Sequence, residues 1–400
     1  MKRIIGYLGS KINLFDFLEE NIIKKHKGNK VFIDVFAGTC SVGKFINKET
    51  NWDIISNDIS NYSKILGIQI KLNQIKVNEI MHLEKILYEL DDLKLIKGDF
   101  FNEFSMGGKP KTITDKNLFF IKKKEVIDGK ENIYFENNQE FPESRMFFKG
   151  SVGQKIDTIR IEIKKKFNNK EISEEFKDLL LLFLLNYVNK NSNYTGVYGA
   201  YLKHDKFKKR GEVSFIDFSL IEYILKNYEE TLFNGNLAET KQMLANDLIK
   251  KIDLSNYKKD NVVFYMDPPY STRSYESNYH ILNYICDLDF SIKELKENSK
   301  SGMKKDKIQN PFNSKFETLK MFKELIIDAL KKGNHIYISY SNEGLMKQEE
   351  IQNIVDELDG VSLTTFKKDY KRYTSGENNG QNTGKKNSVI ELLWYIKNEK

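Results

Sequence analysis

The sequence Val31-Phe-Ile-Asp-Val-Phe36 is followed at once by Ala37-Gly-Thr-Cys-Ser-Val-Gly43. The apolar run indicates a buried strand of a parallel sheet, and the small residues after it indicate a tight loop that leads into a helix. Further strands are predicted at 54–56, 262–266, 336–340 and 389–396, and helices near 61–94, 171–188, 316–332 and 347–357. Because strands that alternate with helices are typical of βαβ units, we expect an α/β fold with a mostly parallel sheet.

This pattern occurs at both ends of the chain, and an unlike segment separates the two parts. Residues 96–234 contain Gly107-Gly108, scattered aromatic residues and a stretch at 189–215 that is rich in Asn, Tyr, Gly and Lys. We therefore predict that residues 1–95 and 235–400 form the domain that contains the sheet, and that residues 96–234 form an inserted domain. Two such modules across a cleft suit a cofactor on one side and a large substrate on the other.

Composition narrows the class of protein. The chain has 400 residues and a formal net charge of +7, which permits a polyanionic partner without requiring one. Cys40 and Cys286 are its only cysteines and no His/Cys spacing resembles a zinc site, so we expect neither a disulfide framework nor a structural metal. The apolar run Leu179–Leu185 is too short to span a membrane, and a reducing cytoplasm is the expected location.

The glycine loop at 38–43 has two other interpretations, and the residues argue against both. Four residues separate the two glycines and Lys44 follows, as in a phosphate-binding P-loop, but Phe45 stands where that loop has Ser or Thr. The dinucleotide pattern Gly-x-Gly-x-x-Gly does not occur. What remains is Asp34 within the strand and Asp58 after the next strand, where a carboxylate can accept both hydroxyls of a ribose. A role as strand-end caps is the alternative for both carboxylates.

A second motif, Asp267-Pro-Pro-Tyr270, follows the predicted strand at 262–266. The two prolines fix φ and remove two backbone donors, so the turn is stiff and its carbonyls have no local N–H partner. In open α/β sheets, ligands bind at the carboxyl ends of strands. Here Asp267 and the Pro268 carbonyl can accept both hydrogens of an exocyclic amine while Tyr270 stacks on a planar base. A proline-stiffened surface turn is the alternative.

Over most of its length the chain resembles the Dam-like, α-group DNA adenine-N6 methyltransferases, because five motifs occur in the order seen in that family. They are Tyr7-Leu-Gly-Ser-Lys11, Phe32-Ile-Asp-Val-Phe-Ala-Gly-Thr-Cys-Ser-Val-Gly43, Asn57-Asp58, Asn246-Asp-Leu248 and Asp267-Pro-Pro-Tyr270. The resemblance implies a Rossmann-like, S-adenosylmethionine-dependent methyltransferase sheet. It also implies that residues 96–234 are an inserted target-recognition domain that binds DNA.

The resemblance further implies which residues bind S-adenosylmethionine. They are Tyr7, Gly9, Lys11, Asp34, Phe36, Gly38, Cys40, Ser41, Asp58, Asp247, Leu248 and Asp267. Lys11 would lie near the methionine part of the cofactor, Asp58 would bind the ribose hydroxyls and Asp247 would contact the adenine. Cys40 departs from the family pattern, which more often has glycine or another small residue at this position. A cysteine is small and apolar enough to fit there.

The implied activity is site-specific methylation of adenine N6 in double-stranded DNA, with no metal. Asp267, Pro268, Pro269 and Tyr270 would form the catalytic pocket. Because a duplex hides adenine N6, the base would be flipped out at a cost of roughly a few kcal/mol. Stacking on Tyr270 would recover part of that cost.

DNA contacts are expected on the insert and on the late loops, where lysines and tyrosines are interleaved. The predicted contacts are Lys190, Tyr194, Tyr198, Lys203, Lys208, Lys209, Arg210, Arg273, Lys371 and Arg372. The stretch at 189–215 has the look of a long hairpin or loop, which suits a groove-reading element whose lysines hold phosphates. A solvated charged face is the alternative for each strip.

Several alternatives stay open at this point. A cytosine-N4 DNA methyltransferase needs the same acceptors, and an RNA adenine methyltransferase is a further possibility. Protein-glutamine methyltransferases resemble the signature with Asn in place of Asp267, so this residue argues against them, as the intact Lys11 and Asp58 argue against a non-catalytic regulator. We expect a monomeric, prokaryotic or phage-encoded enzyme at the nucleoid, either paired with a restriction endonuclease or acting as an orphan.

Overall fold

The structure is a computed structural model that describes residues 3–113, 121–127, 130–136, 145–194, 196–202, 211–234, 236–270, 272, 274–306, 310–371 and 388–400. Its strands are β1 (Val31–Asp34), β2 (Asp53–Asp58), β3 (Ile121–Ile127), β4 (Lys130–Glu136), β5 (Ala238–Gln242), β6 (Val262–Met266), β7 (His335–Ser341), β8 (Val361–Lys371) and β9 (Ser388–Asn398).

The helices lie mainly between these strands. They are α1 (Phe15–Asn21), α2 (Ser41–Glu49), α3 (Asn61–Leu66), α4 (Val77–Met81), α5 (Leu83–Asp91), α6 (Asp99–Phe104), α7 (Gly150–Asn168), α8 (Glu174–Asn191), α9 (Phe218–Asn234), α10 (Ala245–Lys251), α11 (Tyr275–Cys286), α12 (Thr318–Lys332) and α13 (Gln348–Asp356). Short 3-10 helices occur at Ile12–Leu14, Ile23–Lys25, Gly67–Ile70, Leu72–Gln74, Lys259–Asn261, Ile292–Glu294 and Pro311–Asn313.

Within the described ranges, seven strands form one sheet in the order β5-β2-β1-β6-β7-β9-β8, and β3 and β4 form a separate antiparallel hairpin. The first five strands in this order, β5, β2, β1, β6 and β7, run parallel. Strand β9 lies antiparallel between β7 and β8. The predicted α/β fold with a mostly parallel sheet is confirmed. The carboxyl ends of β1, β2 and β6 meet at one edge, which brings together the loops that follow them.

The central strands are buried because helices cover both faces of the sheet. Every residue of β1 and β6 is buried, as is typical of parallel strands packed between two layers. Val31, Phe264 and Ile338 pack toward α10, α12 and α13 on one face. Phe32 and Tyr265 pack toward α1 and α2 on the other face. Two layers of helices therefore fix the strand ends that form the site.

A third core cluster joins helices from inside and outside the predicted insert. Tyr62 of α3 and Tyr279 of α11 belong to the same cluster as Ile156 of α7, Leu182 of α8 and Ile224 of α9. The helical part of residues 96–234 therefore packs directly on the rest of the protein. The division into a catalytic domain and a target-recognition domain stays a prediction.

The sequence-based assignment failed in several places. The continuous helical stretch predicted at 61–94 is wrong, because α3, two 3-10 turns, α4 and α5 follow one another there. Helices α7 and α9 and strand β8 were not predicted. Val152, Ile156, Ile159 and Ile163 of α7 are buried at helical spacing, so the periodicity was present among the many lysines. Lysines and threonines similarly interrupt the apolar pattern of β8, which is an edge strand.

Candidate active site

A deep cleft lies where β1, β2 and β6 end. Its empty volume is about 1150 Å³ including the open mouth. Residues 7–11, 243–245 and 274–276 complete its walls, together with Asn310, Phe312 and Asn313. The cleft brings together most of the residues that were predicted to bind the cofactor or the amine. These are Tyr7, Gly9, Lys11, Asp34, Phe36, Gly38, Ser41, Asp58, Asp267, Pro269 and Tyr270.

The glycine loop reaches the cleft through an unusual backbone. Gly38 has a φ of 52°, and a Cβ atom there would lie 3.1 Å from the Tyr7 ring. Glycine is therefore required at this position both by conformation and by space. Cys40 also has a positive φ, of 55°, but its Sγ points to the Ser63 carbonyl at 3.4 Å and does not line the cleft. The Cys40 side chain therefore supports the loop from behind, and the predicted place of Cys40 among the cofactor-binding residues stays a prediction.

Asp58 is held rigidly at the end of β2. Its Oδ2 accepts the Gly38 N–H at 2.9 Å, and its Oδ1 accepts the Ser60 N–H at 2.9 Å. Burial raises the pKa of the Asp58 carboxyl, and the N–H donors of Ser60 and Gly38 oppose that change. The two backbone donors therefore place a carboxylate on the cleft wall in one orientation.

Asp34 is a buried carboxyl group with unused acceptors. It is 1% exposed and lines the cleft, and neither oxygen has a hydrogen bond of standard geometry to the described residues. Burial and the neighbouring Asp267 raise the pKa of Asp34 well above its usual range, while the nearby Gly43 N–H opposes the change. A buried polar group without a partner costs stability, so a polar ligand in the cleft suits this position.

Lys11, Asp267, Tyr270 and Glu391 form one network at the cleft wall. The Nζ of Lys11 lies 3.0 Å from Oδ1 of Asp267 and 3.0 Å from Oε1 of Glu391. Tyr270 donates its hydroxyl to Oδ1 of Asp267 at 2.5 Å, and Lys11 also contacts this hydroxyl. Glu391 was not predicted to take part in the site. Its one signal in the sequence is that it is an acidic residue inside the apolar run 389–394.

The network controls the charge of Asp267. Burial raises the pKa of Asp267 to about 6, with Lys11 lowering it and Glu391 raising it. Burial alone would lower the pKa of Lys11, but the two carboxylates outweigh burial and raise it above the usual value. Near neutral pH the pocket therefore holds an ammonium group beside an ionised Asp267, which can accept hydrogen bonds.

The proline turn is anchored from both sides. Pro268 is buried, whereas Pro269 lines the cleft. The backbone carbonyl of Tyr270 accepts the Leu345 N–H at 3.1 Å, and its ring lies edge-on to Tyr340 with 5.0 Å between centroids. The turn is therefore stiff as predicted, while the acceptor role of the Pro268 carbonyl stays a prediction.

Two predicted cofactor residues lie outside the cleft. Leu248 is 1% exposed within the sheet core, and Asp247 does not line the cleft. The lining residues of this segment are Met243, Leu244 and Ala245, which precede or begin α10. The reason is Asn57, whose side chain pairs with the backbone N–H and carbonyl of Met243 and so holds the chain at the cleft before α10 begins. Residues 243–245 therefore line the cleft in place of Asp247 and Leu248, whose roles in cofactor binding stay predictions.

The predicted DNA contacts are only partly described. Tyr198 is 1% exposed and its hydroxyl pairs with Ser192 at 2.7 Å, so it is a core residue and its prediction as a DNA contact is wrong for this conformation. Tyr194 is partly buried and stacks on Tyr198. Lys190 pairs with Asp217 at 2.5 Å. Outside the described residues lie Lys203, Lys208, Lys209, Arg210, Arg273, Arg372 and the side chain of Lys371.

The P-loop interpretation of the glycine loop is excluded by the side chains that follow it. Lys44 donates to Oε1 of Gln69 at 2.6 Å and lies over the Tyr223 ring, so it does not line the cleft. Burial lowers the pKa of Lys44 to about 7. Phe45 is buried and stacks on Phe15 at 4.3 Å. No cation is therefore available from this loop to hold phosphates in the cleft.

The described part of the chain has neither a metal-binding cluster nor a membrane-spanning helix. There, no group of three or more His, Cys, Asp or Glu side chains is placed to hold a metal ion. Among the same residues, no helix is both long and apolar enough to cross a membrane.

Comparison with known proteins places these features in a family. Residues 7–354 match the model of the D12 class N6 adenine-specific DNA methyltransferases. The chain is 28% identical over 397 residues to the Type II methyltransferase M.NlaIII of Neisseria lactamica, covering 98% of this chain and 99% of that protein. It is 26% identical to the Type II methyltransferase M.CviAII of Paramecium bursaria Chlorella virus 1, covering 98% of each.

A longer relative matches over part of its length. The Type II methyltransferase M.FokI of Planomicrobium okeanokoites is 27% identical over 408 residues, and the match covers 98% of this chain and 52% of that protein. The family model covers most of the chain and includes the cleft residues from Tyr7 to Tyr270. This chain belongs to the D12 class of N6 adenine-specific DNA methyltransferases.

Proposed function

We propose that this chain transfers a methyl group from S-adenosylmethionine to N6 of an adenine that it flips out of double-stranded DNA at a specific sequence. The observation that carries the proposal is the position of Asp267, which contacts both Lys11 and Tyr270 on the wall of the cleft that Asp58 also lines. An acceptor for the amine and an acceptor for a ribose thus share one cavity.

The cleft suits the methyl donor that a methyltransferase family implies. S-adenosylmethionine supplies a methyl group on a positively charged sulfur. Asp58 and Asp267 line the cleft, and a carboxylate on its wall favours a cationic ligand. The close approach of Gly38 to Tyr7 leaves no room for a side chain, as expected where backbone contacts a ligand. Tyr7, Gly9, Gly38 and Asp58 would hold the donor, with residues 243–245 beside its adenine.

Asp267 would orient the substrate amine. The lone pair of adenine N6 is delocalised into the ring, so N6 is a poor nucleophile. A carboxylate that accepts one N6 hydrogen, together with the Pro268 carbonyl that accepts the other, would direct the lone pair toward the methyl group. Positioning and fixed electrostatics would then lower the barrier. Because the pKa of Asp267 is raised to about 6, this carboxylate is also a better proton acceptor than an exposed aspartate.

Tyr270 would hold the flipped base. Its ring is fixed by the edge contact to Tyr340 and by its hydroxyl bond to Asp267. A ring that is already immobile loses little entropy when a base stacks on it. Stacking would therefore recover part of the cost of unpairing the base, which is roughly a few kcal/mol.

The partner is proposed to be duplex DNA held by the inserted segment and the late basic loops. Lysines at 190, 203, 208 and 209 with Arg210 would contact phosphates, and Arg273, Lys371 and Arg372 would extend the basic surface. The relatives are named Type II methyltransferases, so we further propose that this chain protects DNA against a cognate restriction endonuclease. We also propose that it acts as a monomer.

The test is transfer from methyl-labelled S-adenosylmethionine to unmethylated duplex DNA, followed by nucleoside analysis and mapping of the modified positions. The proposal predicts N6-methyladenine at one recurrent sequence, with little transfer to single-stranded DNA or RNA. Label recovered only as N4-methylcytosine, or only in RNA, would overturn it.

A further inference from the structure

Glu391 is a buried carboxylate that faces the catalytic network from a different part of the sheet. It lies on β9 opposite Ser341 of β7, and its side chain is 5% exposed. Its Oε1 atom lies 3.0 Å from Nζ of Lys11 and accepts the Ser339 hydroxyl at 2.5 Å. The Tyr270 hydroxyl is 3.2 Å from the same atom. A buried charge is destabilising unless it is paired, so the role of Glu391 is to be sought in its contacts with these partners.

The contacts on Asp267 are strongly asymmetric. Lys11 and the Tyr270 hydroxyl both meet Oδ1 of Asp267. Oδ2 takes no hydrogen bond from the described residues. Glu391 contacts both groups that occupy Oδ1, and it does not line the cleft itself. The arrangement therefore fixes one oxygen of Asp267 and leaves the other for a ligand.

We propose that Glu391 is a positioning residue that holds Lys11 and Tyr270 on Oδ1 of Asp267 and so keeps Oδ2 available for the substrate amine. The inference rests on the proposed function, since it assigns Asp267 as the acceptor of that amine. Glu391 acts through Lys11 and Tyr270 and is not in contact with the reacting atoms. Ser339, which donates to Oε1 at 2.5 Å, orients the Glu391 carboxylate in turn.

Glu391 also affects the pKa of Asp267, which is an effect that a purely structural residue would not have. Asp267 is faced by Lys11 from the N-terminal segment, Glu391 from β9, Asp34 from β1, and the tyrosines Tyr265, Tyr270 and Tyr275. Glu391 carries a negative charge and raises the pKa of Asp267. Removal of that charge therefore favours the ionised form of Asp267 at lower pH.

The experiment compares Glu391→Gln with wild type in single-turnover methylation of duplex DNA between pH 5 and pH 8. Glutamine keeps the shape of the side chain and removes its charge. We expect a rate at pH 8 that is lower by about tenfold or more, because a neutral amide oxygen holds Lys11 and Tyr270 less firmly than the carboxylate does. We also expect the acid limb of the rate profile to move down by roughly 0.5 to 1 pH unit. Binding of S-adenosylhomocysteine, measured by calorimetry, should change by less than about threefold, since Glu391 lies outside the cleft.

The matched control is Glu399→Gln, the same substitution at an exposed glutamate just beyond β9. It should leave the rate, the acid limb and the melting temperature as in wild type. If Glu391→Gln does not fold, Glu391→Asp replaces it: this variant keeps the charge and withdraws the carboxylate, so the rate should fall without a downward shift of the acid limb. The proposal is overturned if the Glu391 variants match wild type in both rate and acid limb. A wild-type protein that yields no N6-methyladenine would instead refute the proposed function.

Discussion

The hydroxyl of Tyr270 donates a 2.5 Å hydrogen bond to Oδ1 of Asp267, so the residue proposed to stack on the base and the residue proposed to bind its amine form one unit. This bond lowers the pKa of Asp267, whereas burial and Glu391 raise it. The ring and the hydroxyl of Tyr270 therefore have separable effects. One acts on the flipped base, and the other acts on the charge of the acceptor.

Two substitutions at Tyr270 separate these effects. Tyr270→Phe keeps the stacking ring and removes the hydroxyl, so the pKa of Asp267 should rise and the acid limb of the rate profile should move to higher pH. Tyr270→Ala removes the ring as well, and stacking is worth roughly 1–3 kcal/mol per base, so the rate should fall by about tenfold or more at all pH values. Both variants should still bind S-adenosylhomocysteine. A collapse of that binding would show that Tyr270 supports the cofactor instead.

The wild-type rate should depend on the ionisation of Asp267. Since its pKa is about 6, single-turnover methylation should rise as pH increases through about 6 and level off near pH 8. A protonated Asp267 would present a hydroxyl hydrogen to the amine and lose acceptor capacity. Stopped-flow or quenched-flow assays at constant ionic strength measure the profile. A rate that does not change between pH 5 and pH 8 would contradict this role.

Cofactor binding should depend on Asp58 and not on Asp247. Asp58→Asn removes the charge that the Gly38 and Ser60 N–H groups hold at the cleft wall, and should weaken binding of S-adenosylhomocysteine by about tenfold or more. Asp247→Asn is the matched control, because Asp247 lies outside the cleft, and should change the affinity by less than about twofold. Calorimetry measures both. Equal losses of affinity in the two variants would indicate that Asp247 contacts the cofactor, as the sequence motif implies.

The buried ion pair of Glu103 and Arg145 should be essential for stability. Both side chains are fully buried, with Oε2 of Glu103 2.7 Å from Nη1 of Arg145. Glu103→Ala leaves the arginine charge unpaired and should lower the free energy of unfolding by about 3–5 kcal/mol. Combining Glu103→Leu with Arg145→Met removes both charges and should restore part of the loss. Urea denaturation measures both, and a loss below about 1 kcal/mol in Glu103→Ala would contradict this role.

His26 should make the fold sensitive to acid. Burial, with help from His335, Lys30 and Lys25, lowers the pKa of His26 to about 3. As the pH falls, His26 takes up a proton in the unfolded chain before it does so in the folded protein. The stability that neutral His26 allows is therefore fully present above about pH 6.5 and is lost progressively toward pH 3. Its slope is at most about 1.4 kcal/mol per pH unit. Between pH 7.5 and 5.5, His26→Gln should lose less stability than wild type, whereas His82→Gln, at an exposed site, should lose as much as wild type.

The predicted site residues that line the cleft share a local signal. The loop at 37–43, the carboxylate Asp58 and the turn at 267–270 each follow an apolar run, and the carboxyl ends of parallel strands meet at one edge. Such placement needs only the order of strands and the chemistry of the residues that end them. This is why most of the predicted cofactor residues line one cleft.

Glu391 was missed because its role depends on pairing between distant segments. It reaches Lys11 only because β9 adds antiparallel to β7, and an apolar run in the sequence does not fix that direction. The position of Asp247 outside the cleft also depends on a long-range contact. Its motif is local, but Asn57 determines which part of the segment lies at the cleft, and this contact spans 186 residues. Positions set by long-range pairing are therefore the ones that the sequence patterns do not specify.

The most direct test of the central claim is nucleoside analysis of duplex DNA after incubation with methyl-labelled S-adenosylmethionine and either wild-type protein, Asp267→Ala or Asp359→Ala. Asp359 is an exposed aspartate far along the chain, so its variant controls for the substitution itself. We predict labelled N6-methyladenine with wild type and with Asp359→Ala. Asp267→Ala should yield about a hundredfold less or lower, which is the size of loss expected when a key transition-state contact is removed. This variant should still bind S-adenosylhomocysteine. Undiminished N6-methyladenine with Asp267→Ala would contradict the account.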